Sequence, residues 1–207
     1  MNHLAHFLLA PADDAGRAGT LLGDFVRGSD LSAWPAGVEF GIRLHRRIDA
    51  FTDTHPVLSE ARGALPAPLR RYAGILMDVY FDHLLIAQWD EWHTQPLGDF
   101  ADEVHGALAR LAPTLPAPAD RVASGMAAHK GLLACATDTG MTRILARIGG
   151  RLSRPLALEE ALPSVMAAHA PLEAAFRRFF PALKAQAAAY RAGSTLSTRP
   201  SELSVSR

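Results

Sequence analysis

Cysteine is almost missing from this chain. Cys135 is the only one in 207 residues and has small, apolar neighbours, which excludes a disulfide framework and fits a reducing cytoplasm. Net charge is missing as well. Lys+Arg and Asp+Glu each number 21, so no global field draws the chain to nucleic acid or an anionic membrane. Lysine is scarce, standing only at Lys130 and Lys184, and the positive charge is nearly all arginine. No run approaches the roughly 18 apolar residues of a membrane span. Met1-Asn2-His3-Leu4-Ala5-His6 has neither the basic start nor the long apolar core of a secretory signal. There is no alternating strand pattern, no glycine-rich nucleotide loop and no repeat. The absences leave an all-α, cytoplasmic protein.

Hydrophobic residues make up 49% of the chain, ample for one core. The stretch Ile75 to Ala87 is a helix that is apolar on nearly every side, and it carries Asp78 and Asp82 four residues apart. At 3.6 residues per turn the two differ by about 40° and share a face. Carboxylates on such a face need a partner, either a metal ion or a set of arginines and histidines. Val38 to Phe51 is a second helix, with Phe40, Leu44, Ile48 and Phe51 at helical spacing and His45 and Asp49 beside that stripe. The plain alternative for His45 and Asp49 is a simple i,i+4 ion pair.

The remaining elements follow in order. Residues 3 to 10 form an apolar segment with His3 and His6 within about 60° on a helix. Pro11 to Gly19 reads as a loop. Leu21 to Gly28 is an apolar turn in which Asp24 stands three residues before Arg27. A helix runs from Thr54 to Leu65, a long one from Leu69 to Trp89, and others over Phe100 to Leu111, Asp120 to Thr137, Thr139 to Gly149 and Leu158 to Arg191. The turn Gly150-Arg151-Leu152-Ser153-Arg154-Pro155 offers a phosphate clamp. The expected architecture is a single all-α domain of about seven or eight helices over residues 1–192. A Ser/Thr/Pro-rich tail, expected to be disordered, covers 193–207.

The first 83 residues therefore hold His3, His6, Asp24, His45, Asp49, Asp78, Asp82 and His83 on or near apolar helix faces. Carboxylate plus imidazole from several helices, without thiolate, suits Mn²⁺, Mg²⁺ or Fe rather than structural zinc. A metal so held activates water and neutralises phosphoryl oxygens, which points to metal-assisted phosphoester hydrolysis. A helical protein of buried ion pairs is the competing reading.

Four stretches appear in order: Asn2-His3-Leu4-Ala5-His6, then Leu22-Gly23-Asp24-Phe25-Val26-Arg27-Gly28, then Gly41 to Asp53 around Leu44-His45-Arg46-Arg47-Ile48-Asp49, then Leu76-Met77-Asp78-Val79-Tyr80-Phe81-Asp82-His83-Leu84. Together they resemble the acyl-carrier-protein phosphodiesterase family, and the likeness covers most of the chain to about Tyr190. The family often has Ala where Gly23 stands, a difference expected to matter little for chemistry.

The resemblance implies a divergent, HD-domain-like helical fold that is Mn²⁺-dependent, with Mg²⁺ or Fe²⁺ as alternatives. It also implies hydrolysis of the phosphodiester between 4′-phosphopantetheine and the serine of holo-acyl carrier protein. On that footing Asp24, His45, Asp78 and Asp82 are expected to bind metal and activate water. Asp24, His45, Asp78 and His6 form the catalytic set, with His6 or His3 as proton donor, and His3, Asp49 and His83 support it. Arg27, Arg46 and Arg151 are expected on phosphate. Carrier proteins are acidic, so Arg43, Arg47, Arg70 and Arg71 are expected to dock one. The partner is thus a holo-carrier, with no nucleic acid and no membrane. The alternatives are an HD-like phosphohydrolase acting on a nucleotide and a non-enzymatic helical binder of the carrier.

Overall fold

The computed structural model describes residues 3–197. Among them there is no strand. Eleven α-helices form one all-α body: α1 (His3–Leu9), α2 (Asp14–Leu22), α3 (Ala36–Thr54), α4 (Pro56–Ala61), α5 (Ala73–Ala87), α6 (Trp89–Trp92), α7 (Leu97–Leu111), α8 (Ala119–Ala128), α9 (Asp138–Gly149), α10 (Leu162–Ala167) and α11 (His169–Ser197). Eight of these reach seven residues or more, in line with the number expected from hydrophobic periodicity.

Helix α5 is the centre of the body because it has no polar face to turn outward. Leu76, Met77, Val79, Tyr80, Phe81, Leu84 and Leu85 are all buried. The longest helix, α11, lies against it through Phe176, Phe179, Phe180 and Leu183, none of which is exposed. Phe81 meets the Phe176 ring edge-on at 5.4 Å, and Trp92 of α6 meets Phe180 edge-on at 5.1 Å. Each such side chain contributes about 1.5–3 kcal/mol by leaving water.

Four boundaries depart from the sequence expectation. Pro11 to Gly19 is not a loop throughout: Asp13 caps α2 by accepting the Gly16 N–H at 2.8 Å. Its glycines are contact points. A Cβ on Gly19 would lie 2.2 Å from the Val38 carbonyl oxygen, and one on Gly41 would lie 2.6 Å from that of Gly16, so α2 and α3 meet backbone to backbone. The expected start of the long helix at Leu69 is a 3₁₀ turn over Ala67–Tyr72. The helix expected over Asp120 to Thr137 is α8 followed by a 3₁₀ turn at Gly131–Ala136, with Lys130 left-handed between them at φ 49°. Helix α11 continues through Ser197, so the tail expected from 193 is helical over its first five residues. The rest of that expectation, 198–207, lies outside the described residues.

Helix α1 is held at both ends by distant residues. Asp82 Oδ2 accepts the Leu4 N–H at 3.2 Å, and Arg191 Nη1 donates to the carbonyls of Leu9 and Ala10 at 3.2 and 3.4 Å. Seven residues are too few for an autonomous helix, so these ties and the burial of Leu4, Phe7 and Leu9 fix its place.

Because the atoms facing Gly41 are backbone, they cannot step aside. Gly41→Ala is expected to destabilise the fold by about 1–3 kcal/mol through overpacking, although alanine is the better helix former by about 1 kcal/mol. Urea unfolding measures this, and an unchanged or higher midpoint would refute the close crossing.

Candidate active site

The α2–α3 crossing brings the turn after α2 over the middle of α3. Arg46 locks that turn, donating from Nη1 to the Gly28 carbonyl at 2.6 Å and from Nη2 to that of Val26 at 2.7 Å. Asp24, on this turn, is thereby set above His45, with Oδ1 3.3 Å from His45 Nε2. One helical turn along α3, Asp49 Oδ2 is 3.1 Å from the same nitrogen. Helix α1 closes the other side. His6 Nε2 is 3.1 Å from Asp49 Oδ1, and the His6 ring stacks on that of His45 with centroids 4.0 Å apart. His3 Nδ1 stands 3.9 Å from Asp24 Oδ2.

The cluster has a dry floor and a wet mouth. The His6 and His45 side chains are each 3% exposed, whereas those of Asp24 and Asp49 are 43% and 42% exposed. Gly23 makes room for the floor: a Cβ there would lie 2.3 Å from His45 Cγ. An alanine at position 23 has to push the imidazole aside.

Electrostatics separates the two stacked rings. Burial disfavours the imidazolium of His45, but Asp24 and Asp49 outweigh it and lift its pKa to about 9. Burial pushes His6 down to about 4 despite its bond to Asp49, which leaves its ring uncharged near neutral pH. Burial likewise lowers His3. Burial works against the charged forms of Asp49 and Asp24, but the histidines hold both below the ordinary carboxylate range. Burial raises Asp78, and the charges of Asp49 and Asp53 add to the effect.

The donor set fits a divalent cation. One ligand atom each from His6, His45 and Asp49 lies within 4.8 Å of the other two. His45 Nε2 is close to both carboxylates yet has no aligned hydrogen bond, as expected of atoms converging on a shared point rather than on one another.

The sequence-predicted residues divide accordingly. His3, His6, Asp24, His45 and Asp49 come together, and Asp49 is a direct member rather than a support. Half-buried Asp78 is near enough to Asp49 to feel its charge. Asp82 does not join. It is 2% exposed and engaged with α1, and its other oxygen, Oδ1, is buried with no aligned hydrogen-bond partner among the described residues. His83 does not join either, since its Nδ1 lies 3.0 Å from the Cys135 carbonyl, tying α5 to the Gly131–Ala136 turn. Of the arginines, Arg27 is exposed three residues after Asp24, Arg46 is spent on carbonyls, and Arg151 stands past the end of α9. Arg43 is paired with Glu39 and Arg70 bonds the Leu65 and Gly63 carbonyls. Arg47 and Arg71 lie over Tyr190 and Tyr72.

A histidine–aspartate centre with an open mouth, set in an all-α body, defines the class of protein. The family model described as acyl carrier protein phosphodiesterase matches residues 1–183. Curated relatives with the name acyl carrier protein phosphodiesterase include one from Yersinia enterocolitica, 34% identical over 90% of this chain and 97% of its own. Another, from Enterobacter sp., is 33% identical over the same shares. A third, from Salmonella agona, is 34% identical over 91% of this chain and 98% of its own. The chain belongs to the acyl carrier protein phosphodiesterase family. No solved structure matches it.

Two outcomes follow from the geometry. Gly23→Ala is expected to weaken divalent-cation binding about 10–100-fold, the range for a residue that positions a ligand, in calorimetric titration with the thermal midpoint little changed. Unaltered affinity would remove Gly23 from the site. Burial, the largest effect on Asp82, lifts its pKa from 3.8 to about 7. A carboxyl raised in the folded state contributes its full stability below its unfolded pKa and loses it as pH climbs through the folded one. From pH 5 to 8 the wild type should therefore lose about 2 kcal/mol more than Asp82→Asn. Parallel pH profiles in urea unfolding would contradict this.

Proposed function

We propose that this protein hydrolyses the phosphodiester linking 4′-phosphopantetheine to the serine of holo-acyl carrier protein, releasing the apo form. Family membership supplies the reaction class, and the observation that carries the site is the convergence of His6, His45 and Asp49 beneath an open mouth. His6 Nε2, His45 Nε2 and a carboxylate oxygen of Asp49 would hold Mn²⁺, with Mg²⁺ or Fe²⁺ as alternatives of the same hard, octahedral kind. When bound, such an ion polarises a phosphoryl oxygen and lowers the pKa of a water.

The chain's own residues do the rest. Asp24, exposed at the rim, orients the attacking water and accepts its proton. The buried stack of His6 on His45 keeps bulk water off the floor and fixes both Nε2 atoms. Water oxygen bonds to phosphorus, the bond to the serine oxygen breaks, and that oxygen must leave protonated. Asp78, lifted by burial, is the group suited to carry that proton. Arg27, exposed and three residues from Asp24, would contact the remaining phosphate charge. The HD-like relation, inferred from resemblance, is consistent with His and Asp ligands drawn from separate helices. No helix among the described residues is long and apolar enough to cross a membrane. That and a single buried cysteine support placement in the cytoplasm.

Incubating holo-carrier with the protein and Mn²⁺ should lower the carrier's mass by that of the phosphopantetheine group, and EDTA should abolish the loss. His45→Ala and Asp49→Asn should each cut kcat/KM by more than about 100-fold, beyond the 10–100-fold typical of a residue that only supports a ligand. An unchanged carrier mass with metal present would overturn the assignment.

A further inference from the structure

A cavity of about 580 Å³ opens where the C-terminal half of α1 meets α6, α7 and α11. Its size falls within the roughly 300–1,000 Å³ of small-molecule sites. None of the residues of the histidine–aspartate cluster lines it. Phe7, Leu8 and Leu9 do, on the helix that carries His3 and His6. Phe7, Leu8 and Phe100 give it an apolar wall, and on the α11 side Ala185 and Ala188 are exposed. Two methyl groups on that side leave space that larger side chains would fill.

The polar part of the wall has more donors than acceptors. Glu103 is its one carboxylate among the described residues, and both oxygens are taken. Oε1 accepts from Arg17, and Oε2 accepts from Gln95 Nε2 at 3.3 Å. Lys184 Nζ donates to the Trp92 carbonyl at 2.6 Å and stands 5.9 Å from the centre of the Trp92 ring. No carboxylate among the described residues pairs with it, and an ammonium has three N–H groups to give. The Trp92 Nε1–H is buried with no acceptor among the described residues. Buried donors are nearly always satisfied, so this one calls for a partner.

We propose that this cavity binds a small amphipathic carboxylate, its carboxylate at the Lys184 ammonium and the Trp92 indole N–H and its apolar body against Phe7, Leu8 and Phe100. The unmatched donors select an acceptor, and the unpaired ammonium selects a negative one. An uncharged apolar ligand would cover both donors without satisfying either, at the cost of their desolvation. A phosphate suits the wall less well than a carboxylate. The guanidinium forks that would grip several oxygens are engaged, Arg17 on Glu103 and Arg191 on the carbonyls of Leu9 and Ala10. The site is separate from the cluster, so its occupation does not depend on the chemistry proposed above.

Calorimetric titration of the full chain with octanoate, octanol, octylammonium and octyl phosphate, each kept monomeric, tests this. Octanoate should bind with a Kd of about 1 mM or tighter. Octanol and octylammonium should bind at least about tenfold more weakly, for want of a charged acceptor. Lys184→Met keeps the stem beside the indole and should raise the octanoate Kd about tenfold. Ala188→Phe fills the cavity from an exposed position and should abolish octanoate binding, with thermal midpoint and divalent-cation affinity unchanged. That variant decides the matter even if Lys184→Met fails to fold. No octanoate binding by wild type, or equal binding by wild type and Ala188→Phe, overturns the site. Octanol held as tightly as octanoate, or folded Lys184→Met binding octanoate as wild type does, overturns the assignment of the carboxylate. Octyl phosphate held more tightly than octanoate overturns it in favour of a phosphate head.

Discussion

Helices α2 and α3 meet backbone to backbone at Gly19 and Gly41, and every distance in the histidine–aspartate cluster is referred to that crossing. Asp24 rides on the turn that ends α2, and His45 and Asp49 ride on α3. A spacing set by side chains could relax by an ångström when one of them changed rotamer. A spacing set by carbonyl oxygens and Cα atoms cannot, because protein interiors are close-packed and backbone is stiff. Gly23 extends the same device by one turn, admitting the His45 ring where any larger residue would stand. Positioning at this level is what a site needs if it is to hold reacting groups within a few tenths of an ångström.

Burial then sorts the polar groups by role. The imidazoles occupy the floor, where exclusion of water fixes their orientation and keeps His6 neutral. The carboxylates occupy the rim, where they can be charged without a large desolvation cost and can meet a substrate. His45 is the hinge of this arrangement: it alone touches both aspartates, and its elevated pKa records how much negative charge converges there. A cation at the same place would satisfy that charge more fully than one proton does.

Much of this was legible in the sequence, for identifiable reasons. Helical periodicity gave α3, α5 and α7, and the i,i+4 pair His45 and Asp49 and the i,i+3 pair His3 and His6 fell on the faces expected. Reading Gly16 and Gly19 as loop residues was the main miss. A glycine that serves a helix crossing looks, in one dimension, like a glycine that serves a turn. Asp82 was misplaced for a related reason, because two carboxylates on one helical face need not serve one purpose. Asp78 and Asp82 are one turn apart, yet burial turned the second toward the backbone of α1. Nothing local announces that Leu4 will offer its amide 78 residues away. The commitment of Arg46 to the carbonyls of Val26 and Gly28 was hidden in the same way, since it depends on a chain reversal between them.

The two ties on α1 have a consequence for how the protein comes into being. His3 and His6 are synthesised well before Arg191, which gives the helix that carries them its C-terminal fastening. With α2, α3 and α5 in place but not α11, one of the cluster's three imidazoles, His45, sits on its own long helix, and the other two sit on a helix fastened only through Asp82. The second fastening forms only when α11 reaches back, so an unfinished product lacks one of the two ties that place His3 and His6.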